Sequence, residues 1–293
     1  VGTVRVIGYR SQRTLAAPAE LSGVGLITGT GVRVRFIPAP ANRGIVFRRI
    51  DLTGSPAVVA HPSAITNTNR RTTLGPATTG VSLTEHVLSA LAGLRIDNCV
   101  IELDSVEPPG LDGSAGLFTE ILLKAGTVLQ PARRPICAAT APILVSGTDA
   151  VIQLHPASEP GLRVTYILDY GLNSPIPRQM HTLDVTPESY ARELSHCRTF
   201  CTEAEAKAMK AIGLAPHLRF ADTLVFGARG PIDNALRHAD EPARHKALDL
   251  IGDLALCGFD IAGHLVAYRS GHTLNAEMSK RLVAELEGSR VAA

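Results

Sequence analysis

"GVRVRFIP", Gly31 to Pro38, alternates Val32, Val34 and Phe36 with Arg33 and Arg35. A period of two puts the apolar side chains on one face and the arginines on the other, the pattern of a half-buried strand. "GIVFRRI" and "NCVIELD" read the same way, and helices are expected at about Ser82 to Leu94 and Gly113 to Lys124. The second half repeats this texture. "PILVSG", "AVIQLHP" and "GLRVTYILDY" are strand-like, the last with Leu162, Val164, Tyr166 and Leu168 on one face. Further helices are expected at about Glu203 to Ile212, Ala243 to Cys257 and Leu274 to Glu287. Strands grouped ahead of helices predict an α+β layered fold rather than a doubly wound one. Between the halves lies "AGTVLQPARRP", whose Gly126, Pro131 and Pro135 make it the linker candidate and divide the chain into residues 1–130 and 131–293.

A chain of 293 residues is long enough for one large or two medium domains. With 45% hydrophobic and 19% charged residues it reads as a soluble globular protein, which excludes a largely disordered chain. A formal net charge of +2, with lysines and arginines scattered, gives no footprint for nucleic acid or an anionic membrane. An acidic substrate must therefore meet local basic residues. No apolar run approaches the roughly 18 residues of a membrane span, and "VGTVRVIGYR" lacks the apolar core of a secretory signal. A cytoplasmic protein without stable membrane insertion is expected. Five cysteines form no paired framework, which fits reduced thiols. His196, Cys197 and Cys201 in "SHCRTFC" admit a metal reading, but a single CxxxC pair is a sparse signal and small buried thiols are the plainer account.

"RHKALDLIGDL", Arg244 to Leu254, is an amphipathic helix with an odd polar side. Ala247, Leu248, Leu250, Ile251 and Leu254 share an apolar arc, and His245, Lys246, Asp249, Gly252 and Asp253 occupy the other. His245 and Asp249 are four apart and so lie on one face, the spacing with which two ligands grip one ion. A catalytic metal needs a third protein ligand. His86 in "SLTEHVLSALAGL" is the choice, because it stands at the margin of an apolar stripe and points toward a buried seam. Its neighbour Glu85 has two readings: with Ser82 it matches an S-x-x-E capping box, and beside a metal-bound His it is a proton acceptor for water. His272 in "AYRSGHTLN" is either a surface or capping residue after a turn or a protonated imidazole that stabilises an oxyanion. Asp253 either faces solvent or holds that imidazole and raises its pKa.

In this order and at these separations, "TEHVLSALAGLRIDNCVIEL", "LDGSAGLF", "RTF", "RHKALDLIGDL" and "AYRSGHTLN" resemble the zinc-dependent UDP-3-O-acyl-N-acetylglucosamine deacetylases of lipid A biosynthesis. The likeness runs from about Gln12 to Leu282. It implies two similar α+β domains, each a sheet packed against a pair of helices, with the site between them. It implies hydrolysis of the acetamide of UDP-3-O-(3-hydroxyacyl)-N-acetylglucosamine to the free glucosamine and acetate, on one zinc ion, although iron or cobalt suits the same ligands. By the same likeness Glu85 is the general base, and His86, His245 and Asp249 hold the metal. Lys246 faces the substrate phosphates, and His272 with Asp253 is the general acid or oxyanion stabiliser. Thr199 helps hold the oxyanion, Phe200 lines the substrate site, and Asp169 and Tyr170 contact the uridine. A monomer binding a UDP-linked acylated amino sugar, and no nucleic acid, is expected.

Four places depart from the family pattern. Ile27 stands where a His is usual, and Asn69 to Arg71 occupy a stretch that is typically more apolar. Pro216, His217 and Arg219 replace a glycine-rich approach to the acyl passage, and Ala150 falls where a basic residue helps with the nucleotide. Charged groups beside a fatty chain cost free energy unless they turn to water. Two alternatives therefore stand beside the deacetylase: a zinc amidase acting on another N-acetylated sugar nucleotide, and a non-catalytic sugar-nucleotide binding protein.

Overall fold

The computed structural model describes residues 3–213, 215 and 223–291. From the N-terminus the strands are β1 (Val4–Leu15), β2 (Ala19–Val24), β3 (Gly31–Pro38), β4 (Ile45–Arg49), β5 (Ala57–Val59), β6 (Ile65–Asn67) and β7 (Thr73–Leu74). Helix α1 (Glu85–Gly93), β8 (Cys99–Leu103) and α2 (Gly116–Ala125) follow. Then come β9 (Thr127–Ala139), β10 (Ile143–Ser146), β11 (Val151–His155), β12 (Leu162–Leu168) and β13 (Gln179–Asp184). The remainder is α3 (Pro187–Glu193), β14 (Phe200–Thr202), α4 (Glu203–Ala211), β15 (Leu224–Gly227), β16 (Gly230–Pro231), α5 (Glu241–Leu254), β17 (Asp260–Tyr268) and α6 (His272–Val291).

The fold is α+β with two principal sheets. A five-stranded sheet runs β2-β3-β8-β4-β5, and a seven-stranded sheet has β1-β9-β17-β11-β10 with β12 and β13 attached through β17. The alternation in "GVRVRFIP" does what its period requires: Val32, Val34 and Phe36 are buried, and Phe36 meets the Phe118 ring of α2 edge-on at 6.2 Å. Helix α2 lies against β2, α5 against β12 and β13, and α6 against β1, β10 and β11. The two layers meet where α1 packs on α5, so one continuous apolar core crosses the molecule.

The segment expected to be an open linker is a strand. Thr127–Ala139 pairs with β1 along nearly its whole length and with β17 near its end. Pro131 is compatible with this because the register shifts between Ser11 and Gln12, whose partners are Arg133 and Gln130, so it falls in the irregularity, while Pro135 stands opposite Tyr9. The five expected helices begin and end within a few residues of expectation and α3 was not expected, and α1 does not start as the capping box predicts. Thr84 is its N-cap and its side chain caps no helix N–H, and Ser82 Oγ accepts from Arg71 Nε at 2.8 Å.

Gly252 sets how closely α1 and α5 approach. A Cβ there would stand 2.1 Å from the Glu85 carbonyl oxygen, so only glycine permits the contact. Both arcs of α5 are consequently packed against neighbours, the polar one meeting α1 at Gly252 and bordering a cavity with His245, Lys246 and Asp249. Among the described residues no helix is long and apolar enough to cross a membrane.

Candidate active site

The crossing of α1 and α5 collects five ionisable side chains, Glu85, His86, His245, Asp249 and Asp253, the first and last of which stand 168 positions apart in the sequence. His86, His245 and Asp249 are buried, and one donor atom from each lies within 4.8 Å of the others. Asp249 Oδ1 is 3.6 Å from His86 Nε2 and 3.4 Å from His245 Nε2. The two imidazoles meet edge to face, with centroids 5.1 Å apart. His245 Nδ1 donates to the Cys197 carbonyl at 3.0 Å, which leaves the lone pair on Nε2 aimed inward.

These residues fit a metal. Asp249 Oδ1 is buried without a hydrogen-bond partner, a costly condition that a cation would relieve. Two imidazoles and one carboxylate also match the donor set of a catalytic ion with an open position. Burial pushes the His245 pKa down to about 4, so it is a neutral ligand at physiological pH. Burial opposes the charge on Asp249, but His245, Lys246 and His86 outweigh it and hold the carboxyl well below its usual range. His86 is raised: burial opposes its charge, and Asp249 and Glu85 overcome that effect. Among the described residues His196, Cys197 and Cys201 form no such group, and Cys197 is simply a buried thiol.

Glu85 and His272 flank the triad. Glu85 is 2% exposed, and burial raises its pKa despite the nearby His272 and His86. Its Oε2 accepts from Thr72 N at 3.0 Å rather than from the start of its own helix, and its Oε1 stands 3.9 Å from His272 Nε2. His272 Nδ1 donates to Asp253 Oδ2 at 2.9 Å. Burial works against its charged form, but Asp253 and Glu85 overcome this and lift the pKa to about 9. Asp253 is buried, not solvent-facing.

Glu85, His86 and Asp253 sit behind a cavity of about 600 Å³ whose lining includes His245, Lys246, Asp249, Thr199, Phe200 and His272. Lys246 Nζ donates to Asp249 Oδ2 at 2.8 Å, and Thr199 is held by its N–H on the Gly113 carbonyl at 2.7 Å. A family model described as UDP-3-O-acyl N-acetylglycosamine deacetylase matches residues 12–284. The chain belongs to that deacetylase family. It is similar to the UDP-3-O-acyl-N-acetylglucosamine deacetylase of Solibacter usitatus, 38% identical over 94% of this chain and 92% of that relative. The enzyme of the same name from a Nostoc species is 36% identical over 93% of this chain and 98% of its own length. That of Anaeromyxobacter dehalogenans is 36% identical over 96% and 90%.

The remaining motif residues divide between the cavity wall and its surroundings. Phe200 and Tyr170 line the cavity and meet edge-on at 6.1 Å, and Phe200 also meets the His245 ring at 6.0 Å. Asp169 is not in the lining. It anchors the loop instead, accepting from Gly171 N at 2.8 Å and Tyr268 Oη at 3.0 Å. Asn69 and Arg70 reach the cavity, whereas Arg71 turns away to Ser82. Ile27 and Ala150 are outside the lining; the Ile27 N–H is held by Glu107 at 3.0 Å. Pro216, His217 and Arg219 lie outside the described residues.

Several supporting residues escaped the motif reading. Arg198 forms a buried pair with Glu241 at 2.9 Å, which ties the "RTF" strand to the first turn of α5. Asn275 Nδ2 donates to Asp253 Oδ2 at 2.8 Å. Arg198 and Asn275 stand inside the quoted "RTF" and "SGHTLN" blocks, where their polarity was the available signal. Thr72, in "RRTTLG", carried none.

Proposed function

We propose that this protein hydrolyses the acetamide of UDP-3-O-(3-hydroxyacyl)-N-acetylglucosamine, releasing acetate and the free amine, in lipid A biosynthesis. The observation that carries the reading is the buried His86, His245 and Asp249 group with Glu85 and His272 beside it, in a chain that matches the deacetylase family almost throughout. His86, His245 and Asp249 would hold one zinc ion. When bound, zinc supplies Lewis acidity toward the acetamide carbonyl and lowers the pKa of water to about 7.

The chain's own groups do the proton work. Glu85, with its raised pKa, is suited to take a proton from attacking water near neutral pH, and Thr72 N–H keeps one carboxylate oxygen fixed while the other faces His272. Protonated His272, oriented by Asp253, donates to the developing oxyanion or to the departing nitrogen, and Thr199 shares the oxyanion charge. Lys246 supplies positive charge for the diphosphate, and Phe200 and Tyr170 form the substrate wall. The reading keeps a monomer in a reducing cytoplasm, the compartment in which all five cysteines stay thiols. The five- and seven-stranded sheets support two α+β units, with β1 joining the second sheet and β9 running through the expected boundary at residue 130.

One observation favours a different N-acetylated sugar nucleotide. Arg70 and Glu205 pair at 3.4 Å on the cavity lining, where a fatty chain would meet charge. Acetate release from the acylated substrate, from unacylated UDP-N-acetylglucosamine, and from the acylated substrate after chelation tests both readings, with His245→Ala beside the parent. Turnover of the acylated sugar that disappears with chelator and in the variant is expected. A preference for the unacylated sugar moves the substrate to the second reading, and tight binding without turnover removes catalysis altogether.

A further inference from the structure

Thr72 is 1% exposed, and each of its polar groups is committed to the acid-base set or to the helix that carries it. Its backbone N–H donates to Glu85 Oε2 at 3.0 Å. Its hydroxyl donates to Asp253 Oδ1 at 2.5 Å, with a lone pair facing His272 Nδ1 at 3.4 Å. Its carbonyl accepts from both the N–H and the hydroxyl of Thr84, the residue that opens α1. Glu85 stands on α1, Asp253 on α5 and His272 at the start of α6, so one residue ties together side chains from three helices.

We infer that Thr72 is the positioning residue that sets the distance and orientation between Glu85 and the His272–Asp253 pair. The inference rests on the deacetylase reading above. Glu85 Oε2 and Asp253 Oδ1 are both bound to Thr72, and Asp253 Oδ2 is bound to His272. The free ends of the two arms, Glu85 Oε1 and His272 Nε2, then converge to 3.9 Å at the rear of the cavity. Without the hydroxyl, Asp253 Oδ1 loses this buried donor, and the carboxylate is free to rotate about the two bonds left to Oδ2 from His272 and Asn275. Catalysis is sensitive to such rotation, because a proton donor misplaced by about 1 Å can cost on the order of a hundredfold.

Thr72→Val tests this, since it keeps the volume, the β-branch and the backbone N–H and removes only the hydroxyl. Thr72→Ser is the restoring variant. In Thr72→Val, kcat for acetate release is expected to fall by roughly ten- to a hundredfold with KM within about twofold, as for loss of a hydrogen bond to a charged group. Thr72→Ser is expected to recover most of kcat. Independently of turnover, the low-field proton resonance of the His272 Nδ1–H, assigned by its loss in His272→Gln, is expected to move upfield in Thr72→Val and to return in Thr72→Ser. Unchanged kcat in Thr72→Val overturns the inference, as does an equal loss in both variants with the resonance unmoved, which would mark a merely structural role. A parent protein that releases no acetate overturns the deacetylase reading instead, and the resonance alone then decides Thr72.

Discussion

Glu85 and His245 both belong to the metal-and-acid-base group, yet their chemistry separates them experimentally. His245 offers its Nε2 lone pair to the metal group, whereas Glu85 lies beside that group with one oxygen already bound to Thr72. Glu85→Gln is expected to keep its bound metal while kcat falls by about 10²- to 10⁴-fold, the usual contribution of a general base. His245→Ala is expected to lose both metal and turnover. Metal content by mass spectrometry beside acetate release distinguishes them, and a Glu85→Gln protein that loses its metal would remove Glu85 from the base role. The adjacent "EH" pair was legible because two chemistry-bearing residues stood at the edge of an apolar stripe. The function of Glu85 was not, since the same Ser82-x-x-Glu85 spacing also spells a capping box. The helix start at Thr84, the bond from Arg71 to Ser82 and the approach of Thr72, thirteen residues before Glu85, decide against that box.

At the scale of elements, α5 is buried on both arcs, so it depends on its neighbours more than its periodicity suggests. Gly252→Ala inserts a methyl group against the Glu85 carbonyl and must push α1 and α5 apart. Destabilisation of about 1–3 kcal/mol is expected in urea unfolding, together with weakened metal binding, because the displaced helices carry the ligands. Unchanged stability and metal affinity would show that the crossing does not fix the site. Arg198→Ala acts at the other end of α5. It leaves Glu241 fully buried without its ion-pair partner, so a loss of about 3–5 kcal/mol is expected in the same measurement. A change under about 1 kcal/mol would mean that water reaches Glu241.

Across the whole molecule, Arg10, Asp97, Arg134 and Asp260 form an ion network that joins β1, the segment after α1, β9 and the start of β17. Burial tends to raise the Asp260 pKa, but Arg10 and Arg134 outweigh it and hold the carboxyl below its usual range. A carboxyl lowered on folding contributes stability above its unfolded value of about 3.9, and that contribution is lost as pH falls through the lower folded value. Asp260→Asn is therefore expected to be about 1–3 kcal/mol less stable at pH 7 and to converge on the parent in strong acid. Parallel stability curves from pH 7 to pH 2 would exclude this role. The network also accounts for the misread linker. Pro131 and Arg133–Arg134 look like an open connection locally, yet a bulge takes up the proline, and Asp97 and Asp260 draw Arg134 into the sheet.

The amino-acid order by itself determined the periodicities: strands at "GVRVRFIP" and "GLRVTYILDY", the two-faced helix at "RHKALDLIGDL", and the residue types able to bind a metal. Those signals are local, because a side chain's direction along a strand or helix follows from its own backbone. The tertiary structure decided which of them meet. Packing α1 on α5 at Gly252 sets the distances among His86, His245 and Asp249, and Thr72 joins Glu85 of α1 to Asp253 of α5 and, through it, to His272 of α6. Such contacts depend on the relative placement of separate elements, which no spacing along the chain encodes.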